Sequence, residues 1–207
     1  MLLYARSFSL KSIAFTTENR VVSQLLAELI TGCGCIAEVT ATLSRKRAGG
    51  MITVTVPDEN DRRRLLERFG YSGREVNLRI HYQNLSDGAA VFLRGAFLSC
   101  GAVTDPSKDY HMEFSVAHMK LAEDLAAFLR GLQELQMEPG ITNRKGAYVV
   151  YLKGSEQITD LLTFIGAHRA SMELMQVKMV KEVRNYVNRT TNFETANISK
   201  TASAAAL

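Results

Sequence analysis

The sequence predicts an α+β fold of two pseudo-symmetric units. Each is ordered helix, strand, strand, helix, strand, strand, helix (αββαββα) with antiparallel sheets, and the first lacks most of its first helix. Three observations carry this. Along the 207 residues, apolar positions switch between a period of two and a period of about 3.6, the marks of strand and helix. The second half repeats the first: I-A-F-T-T-E-N-R-V-V-S-Q-L-L-A-E-L-I (13–30) overlays M-E-F-S-V-A-H-M-K-L-A-E-D-L-A-A-F-L (112–129) at an offset of 99, and I-T-V-T-V (52–56) overlays Y-V-V-Y-L (148–152) at 96. Phe15 thereby meets Phe114, Leu26 meets Leu125, Leu29 meets Phe128 and Gly70 meets Gly166. Finally, Asp87–Gly101 reads as a helix apolar on nearly every side, with Arg94 as its internal charge, and such a helix belongs at the centre of the molecule.

Taken in order, Lys11–Thr17 alternates and is rich in β-formers, a strand. Glu18–Thr31 places Val21, Val22, Leu25, Leu26, Leu29 and Ile30 on one helical face before Gly32 and Gly34 break it. Cys35–Leu43 and Met51–Val56 alternate again, joined by R-K-R-A-G-G as a hairpin turn, and Pro57 ends the second strand. Asp58–Phe69 is a short helix with acids at its positive end and Gly70 behind it. Residues 71–86 form a polar linker with a strand-like stretch at Glu75–Tyr82.

The central helix can take Ser86 or Asp87 as its cap and Gly101 as a left-handed stop. Gly95 and Ser99, four apart, leave one side without bulk, suited to close packing on a second helix. A strand near Ala102–Thr104, a turn at D-P-S-K-D, a strand at Tyr110–Val116 and a helix Met119–Arg130 closed by Gly131 follow. Leu135–Thr142 pairs with Ala147–Lys153 across N-R-K-G, and Ser155 caps a helix, Glu156–Ile165, that Gly166 ends. Ser171–Leu207 begins as a helix through about Val187 and becomes a polar linker beyond Asn188. The organisation is therefore 1–70, first repeat; 71–86, linker; 87–170, second repeat; and 171–207, carboxy-terminal helix and linker. An offset of 95 lays Ala5 on Cys100 and Arg6 on Gly101, so roughly a turn and a half of the first unit's opening helix is expected before Ser7.

Composition narrows the class. At 46% hydrophobic and 22% charged, the chain reads as an ordinary globular protein. No apolar run reaches about 18 residues and M-L-L-Y-A-R is not a secretory signal, so neither a membrane partner nor export is expected. Three cysteines without framework spacing suit a reducing cytoplasm. The net charge of +4 is uneven: residues 1–88 carry 12 Lys/Arg against 9 Asp/Glu, 89–170 carry 8 against 9, and 171–207 carry 5 against 3. A mild excess of this kind hints at a polyanionic partner.

L-R-G-A-F-L-S-C-G (93–101) resembles the motif helix of LAGLIDADG homing endonucleases, with Leu93, Gly95 and Gly101 in motif places. F-L-R-G-A-F-L-S-C-G-A-V-T-D-P-S-K-D-Y-H-M-E-F, G-A-Y-V-V-Y-L-K-G-S-E-Q-I-T-D-L-L-T-F-I-G-A-H and V-N-R-T-T-N-F-E-T-A-N-I-S-K-T resemble the WhiA family, bacterial sporulation and cell-division regulators with a LAGLIDADG-like amino-terminal domain. The resemblance covers nearly the whole chain. It implies a LAGLIDADG homing-endonuclease-like fold, and a helix-turn-helix domain beyond T-A-S-A-A-A-L, so truncation at both ends is expected.

A LAGLIDADG nuclease needs an acid just before the final glycine of each motif helix, because two carboxylates hold the divalent metals at the scissile phosphates. Those places hold Cys100 and, by the repeat, Ala5, neither a ligand for a hard cation. Asp105 lies near but belongs to the D-P turn. The chain is expected to be no enzyme, with no catalytic residue, no metal and no cofactor.

Other candidates are weaker. Cys33 and Cys35 read as small residues in a helix-to-strand turn, and His81, His111, His118 and His168 form no motif, His111 pairing with Glu113 on one strand face. Arg62–Arg64 and Arg68 suit a solvated helix face better than phosphate. The methionines of 172–179 suit helix packing.

The basic hairpins remain. Arg45, Lys46 and Arg47 lie in one repeat's turn and Arg144 and Lys145 in the same turn of the other, a pseudo-twofold pair of tips suited to straddling duplex phosphates, although charged tips also serve solubility alone. The expectation is a cytoplasmic, nucleoid-associated, DNA-binding transcription regulator whose present fragment holds double-stranded DNA weakly and without sequence selectivity. Other regulators are an open second class of partner, and no small-molecule substrate is expected. The alternatives are an endonuclease with displaced acids and a protein-interaction module without DNA contact.

Overall fold

The structure, a computed structural model, describes residues 1–42, 50–74, 78–82, 85 and 88–205. A 3-10 turn at Leu2–Tyr4 leads into β1 (Ser7–Phe8), β2 (Ile13–Thr17), α1 (Arg20–Gly32), β3 (Glu38–Thr42), β4 (Met51–Thr55) and α2 (Glu59–Arg68). The second unit comprises α3 (Ala89–Cys100), β5 (Gly101–Val103), β6 (His111–Val116), α4 (Met119–Gly131), β7 (Gly140–Arg144), β8 (Ala147–Lys153) and α5 (Ser155–Phe164), and α6 (His168–Ala205) follows.

Two four-stranded antiparallel sheets result, ordered β1-β2-β4-β3 and β5-β6-β8-β7, the same order twice. The repeat is kept to the residue: α4 begins and ends 99 positions after α1, and α5 begins and ends 96 positions after α2. Each helix starts where its sequence permits. Asn19 Oδ1 accepts the Val21 and Val22 amides at 2.9 and 3.3 Å to open α1, and Asp58 accepts the Asp61 amide at 2.9 Å to open α2.

Each sheet buries one face under its helices and leaves the other open. Ile13, Phe15 and Val54 with Val22, Leu26, Ile30, Leu65 and Leu66 form the first core. Met112, Phe114, Val150 and Leu152 with Leu93, Leu121, Leu125, Leu129, Leu161 and Leu162 form the second. A strap joins them: Tyr71 and Leu78 sit in the first core and Ile80 in the second. Asp124 on α4 fastens it, accepting Arg79 Nε at 2.7 Å, Arg79 Nη2 at 2.6 Å and the Ile80 amide at 2.9 Å. Burial pushes the Asp124 carboxyl up, but the guanidinium and the amide outweigh it and hold it below the usual carboxylate range.

Several local expectations are corrected. Helix α3 is not buried on nearly every side: Leu93 and Ala96 are buried, while Val91 is 66% exposed. Gly101 is extended (φ −85°), not left-handed; it is glycine for room, because a Cβ there would lie 2.3 Å from the Phe97 ring. Gly154, not Ser155, occupies the N-cap of α5. Of the proposed strand Glu75–Tyr82, residues 75–77 fall outside the described residues and 78–81 belong to no strand. Strand β7 starts at Gly140, because Gln136 turns the chain at φ 45°. Finally, α6 runs unbroken to Ala205 instead of yielding to a linker near Asn188. Its polar second half keeps helix geometry, with Thr195 and Thr201 hydroxyls donating to the carbonyls four residues back.

Candidate nucleic-acid interface

The end of α3 presents a thiol, Cys100, and no carboxylate. Cys100 Sγ donates to the Ala96 carbonyl at 3.3 Å, and burial pushes the thiol up to about 12, so it is neutral at physiological pH. Ala5, its counterpart, closes the Leu2–Tyr4 turn. Asp105 is spent on its own turn: its carboxylate accepts the Ser107 amide at 2.9 Å and its carbonyl accepts the Lys108 and Asp109 amides. The hydrogen bond from Ser107 holds the Asp105 carboxyl below its usual range. Among the described residues, no three His, Cys, Asp or Glu side chains converge to hold a metal ion.

The lesser candidates resolve into scaffold. Cys33 and Cys35 are free thiols in the turn after α1, and burial raises the Cys35 thiol. Arg62 is neither a phosphate ligand nor a solvated charge. Its Nε donates to the Leu10 carbonyl at 2.8 Å and its Nη1 to the Val56 carbonyl at 2.9 Å and to that of Pro57, tying α2 to two loops. Arg63 pairs with Glu59 at 3.2 Å, and Arg64 donates to the Gly34 carbonyl at 2.8 Å. Arg94 donates to the Ile165 carbonyl at 2.7 Å and so closes α5. The sequence offered Arg62 and Arg94 only as charges, since the Leu10 carbonyl lies 52 positions from the one and the Ile165 carbonyl 71 from the other.

What remains for a ligand is the open face of each sheet and, among the described residues, the hairpin tip at the edge of the second. Register places Ser7, Ala14, Thr16, Thr53, Thr55, Thr40 and Glu38 on the open face of the first sheet. His111, Glu113, Ser115, Tyr151, Lys153 and Arg144 share the open face of the second. Arg45, Lys46 and Arg47 lie outside the described residues.

The other tip is a two-residue turn of Lys145 (φ 53°) and Gly146 (φ 82°), whose positive pair matches the twist of the flanking strands. Lys145 is exposed at the tip. Arg144, expected beside it, instead lies back along the sheet and donates its Nη2 to Glu113, whose Oε2 also sits 3.2 Å from His111 Nε2. The His111 ring stacks on Tyr151 at 5.7 Å, and Lys153, paired with His111 across the strands, sets its Nζ 5.3 Å from the centre of the Tyr151 ring.

On the opposite side lies an apolar groove of about 530 Å³ between α1, α3 and the Met1–Leu3 stretch, lined by Leu25, Leu29, Phe69, Val91 and Leu98. In the second unit Phe128 on α4 packs against Phe92 of α3, ring centres 5.4 Å apart, whereas its counterpart Leu29 is 52% exposed and lines the groove.

A doubled sheet–helix unit with a central motif helix is the frame of the LAGLIDADG class, here with a thiol and a methyl group where that class carries acids. Residues 89–184 match the family described as the WhiA LAGLIDADG-like domain. A probable cell division protein WhiA from Clostridium perfringens is 36% identical over 214 residues, covering 96% of this chain and 66% of the relative. One from Caldicellulosiruptor saccharolyticus is 50% identical over 113 residues, covering 55% of this chain and 34% of the relative. The full-length DUF199/WhiA crystal structure from Thermatoga maritima superposes with a TM-score of 0.66 at 24% identity, covering 98% of this chain and 65% of that one. The homing endonuclease I-WcaI bound to its DNA recognition sequence superposes with a TM-score of 0.50 at 11% identity, covering 76% and 70%. The chain belongs to the WhiA family of cell division proteins. It spans about two thirds of the length of the Clostridium perfringens relative.

Proposed function

We propose that this chain is a DNA-binding, non-catalytic part of a transcription regulator acting in cell division and sporulation, and that it works at the nucleoid. The observation that carries the reading is the pair of open sheet faces, the second edged by a hairpin whose tip exposes Lys145, on a frame that carries Cys100 and Ala5 where the family resemblance implies acids. The same frame holds a DNA recognition sequence in I-WcaI. In this proposal residues 1–70 and 87–170 are the two DNA-facing repeats and 71–86 their link. Residues 171–207 lead towards the helix-turn-helix domain that the family resemblance implies, to which base reading is assigned.

Contacts made by tips and sheet edges are phosphate contacts, so binding is salt-dependent and weakly selective. Each phosphate neutralised adds a slope of about −0.9 to log K against log salt, so five basic residues set an upper limit of roughly −4 to −5. Fluorescence anisotropy on labelled duplexes across a salt series tests it. Replacing Arg45, Lys46 and Arg47 with Ala should weaken every duplex alike and flatten the slope, and replacing Arg144 and Lys145 should do so less. If both sets together leave affinity and slope unchanged, the tips do not touch DNA.

A further inference from the structure

We propose that Glu113 is a positioning residue for DNA contact: an anionic clamp that holds Arg144 away from its hairpin tip and thereby sets the affinity of the second sheet for duplex phosphate. The inference rests on the DNA-binding reading above and adds a named control within it.

The geometry points to Glu113 because of where the cluster lies. Glu113 stands on β6, an inner strand, opposite Tyr151 on β8, with Gly140 of β7 beyond it. Arg144 is paired with Ala147 at the far end of β7, yet its guanidinium reaches Glu113 along the open face. One carboxylate oxygen, Oε2, serves both His111 Nε2 and Arg144 Nη2. Glu113 is half-buried, its side chain 24% accessible, while the Arg144 side chain is 55% accessible and can leave. In the first sheet the repeat places Ala14 where Glu113 stands, with Ser7 and Thr55 beside it and Glu38 at the edge. The inner-strand clamp is therefore a feature of the second sheet.

A carboxylate on a surface that faces phosphate acts in two ways. It repels the incoming anion, and it occupies the guanidinium that would otherwise pair with that anion in the stronger, forked geometry. An exposed ion pair is weak enough for phosphate to displace, so the clamp lowers affinity without abolishing it. Removing the charge frees Arg144 to swing to the tip beside Lys145.

The test is duplex binding by this chain across a salt series, for the wild type, Glu113→Gln and the double variant Glu113→Gln/Arg144→Ala, with Glu173→Gln on α6 as a control of equal charge change. Glu113→Gln should bind about two- to fivefold tighter at low salt. Its slope should steepen by about 0.9, one further phosphate. The double variant should lose the added slope and most of the gain in affinity, keeping only the part that comes from removing the repelling charge, and the control should change neither. Glu113→Ala, which installs the residue the first repeat itself carries at this place, gives the same readout if the glutamine variant melts early. Unchanged or weaker binding by the Glu113 variants overturns the clamp while leaving DNA binding intact. Equal tightening by Glu173→Gln also overturns it, since net charge alone would then explain the gain. Absence of binding by every variant at low salt overturns the clamp and the DNA-binding reading together.

Discussion

Replacing Asp124 with Asn should loosen the strap between the two repeats, by an amount that can be worked from its bonds. The carboxylate accepts three charge-assisted hydrogen bonds, two from Arg79 at 2.6–2.7 Å and one from the Ile80 amide at 2.9 Å, and it is 4% exposed. The Asn oxygen can keep one of them, while its amide group confronts the guanidinium with a second donor. A hydrogen bond to a charged group contributes about 1.5–3 kcal/mol, but the exposed Arg79 recovers water when released, so a net loss of about 2–3 kcal/mol is expected. For a chain of this size that is a melting-temperature drop of about 5–10 °C.

Acid titration supplies an independent check. The Asp124 carboxyl is held below its ordinary value of 3.8, so its stabilisation is fully present above that value and lost as pH falls through the lower, folded-state value. The stability gap between wild type and variant should therefore be constant above about pH 5 and close in stronger acid. Urea melts monitored by circular dichroism over a pH series measure it. A gap under about 0.5 kcal/mol at neutral pH, or one that persists unchanged to pH 3, would refute the assignment of these bonds as the strap's fastening.

Three further outcomes follow from the same structure. Incubated with supercoiled plasmid in Mg²⁺ or Mn²⁺, the protein should neither nick nor cut; cleavage that vanished on Asp105→Asn would show that the turn aspartate is a displaced catalytic acid. Gly101→Ala should cost about 1–3 kcal/mol by overpacking, since the new methyl group meets the Phe97 ring and carbonyl at 2.3 and 2.7 Å, and an unchanged melting temperature would refute that account. Replacing Arg94 with Met should destabilise the protein by about 1–2 kcal/mol through the orphaned Ile165 carbonyl, read by the same urea melts, whereas Arg169→Met on the surface should be silent.

The repeat was legible because it is a pattern of local periods. Alternation in I-A-F-T-T and M-E-F-S-V and the apolar faces of the two helices that follow are written within a few residues, and the offsets of 99 and 96 reappear unchanged in the element boundaries. The absence of acids at Ala5 and Cys100 was equally plain, since the identity of a residue needs no fold to be read. Periodicity does not say what covers an apolar face. Val21, Leu25 and Leu29 looked like core beside Val22, Leu26 and Ile30, yet they lie 37–71% exposed, because a period of 3.6 marks an apolar face without fixing how wide a strip of it the sheet covers.

Tertiary structure alone decided the partners of the charges that reach between elements. Arg144 looked like a tip residue because it adjoins the turn, and only the packing of β6, β8 and β7 side by side brings Glu113, 31 positions earlier, within its reach. Arg62, Arg79 and Arg94 likewise find acceptors 52, 45 and 71 positions away. Apolar burial follows a period the chain repeats along its length, and so it can be read locally. A charged side chain is long, flexible and satisfied by any acceptor in range, and which acceptors come into range is fixed only when the sheets close.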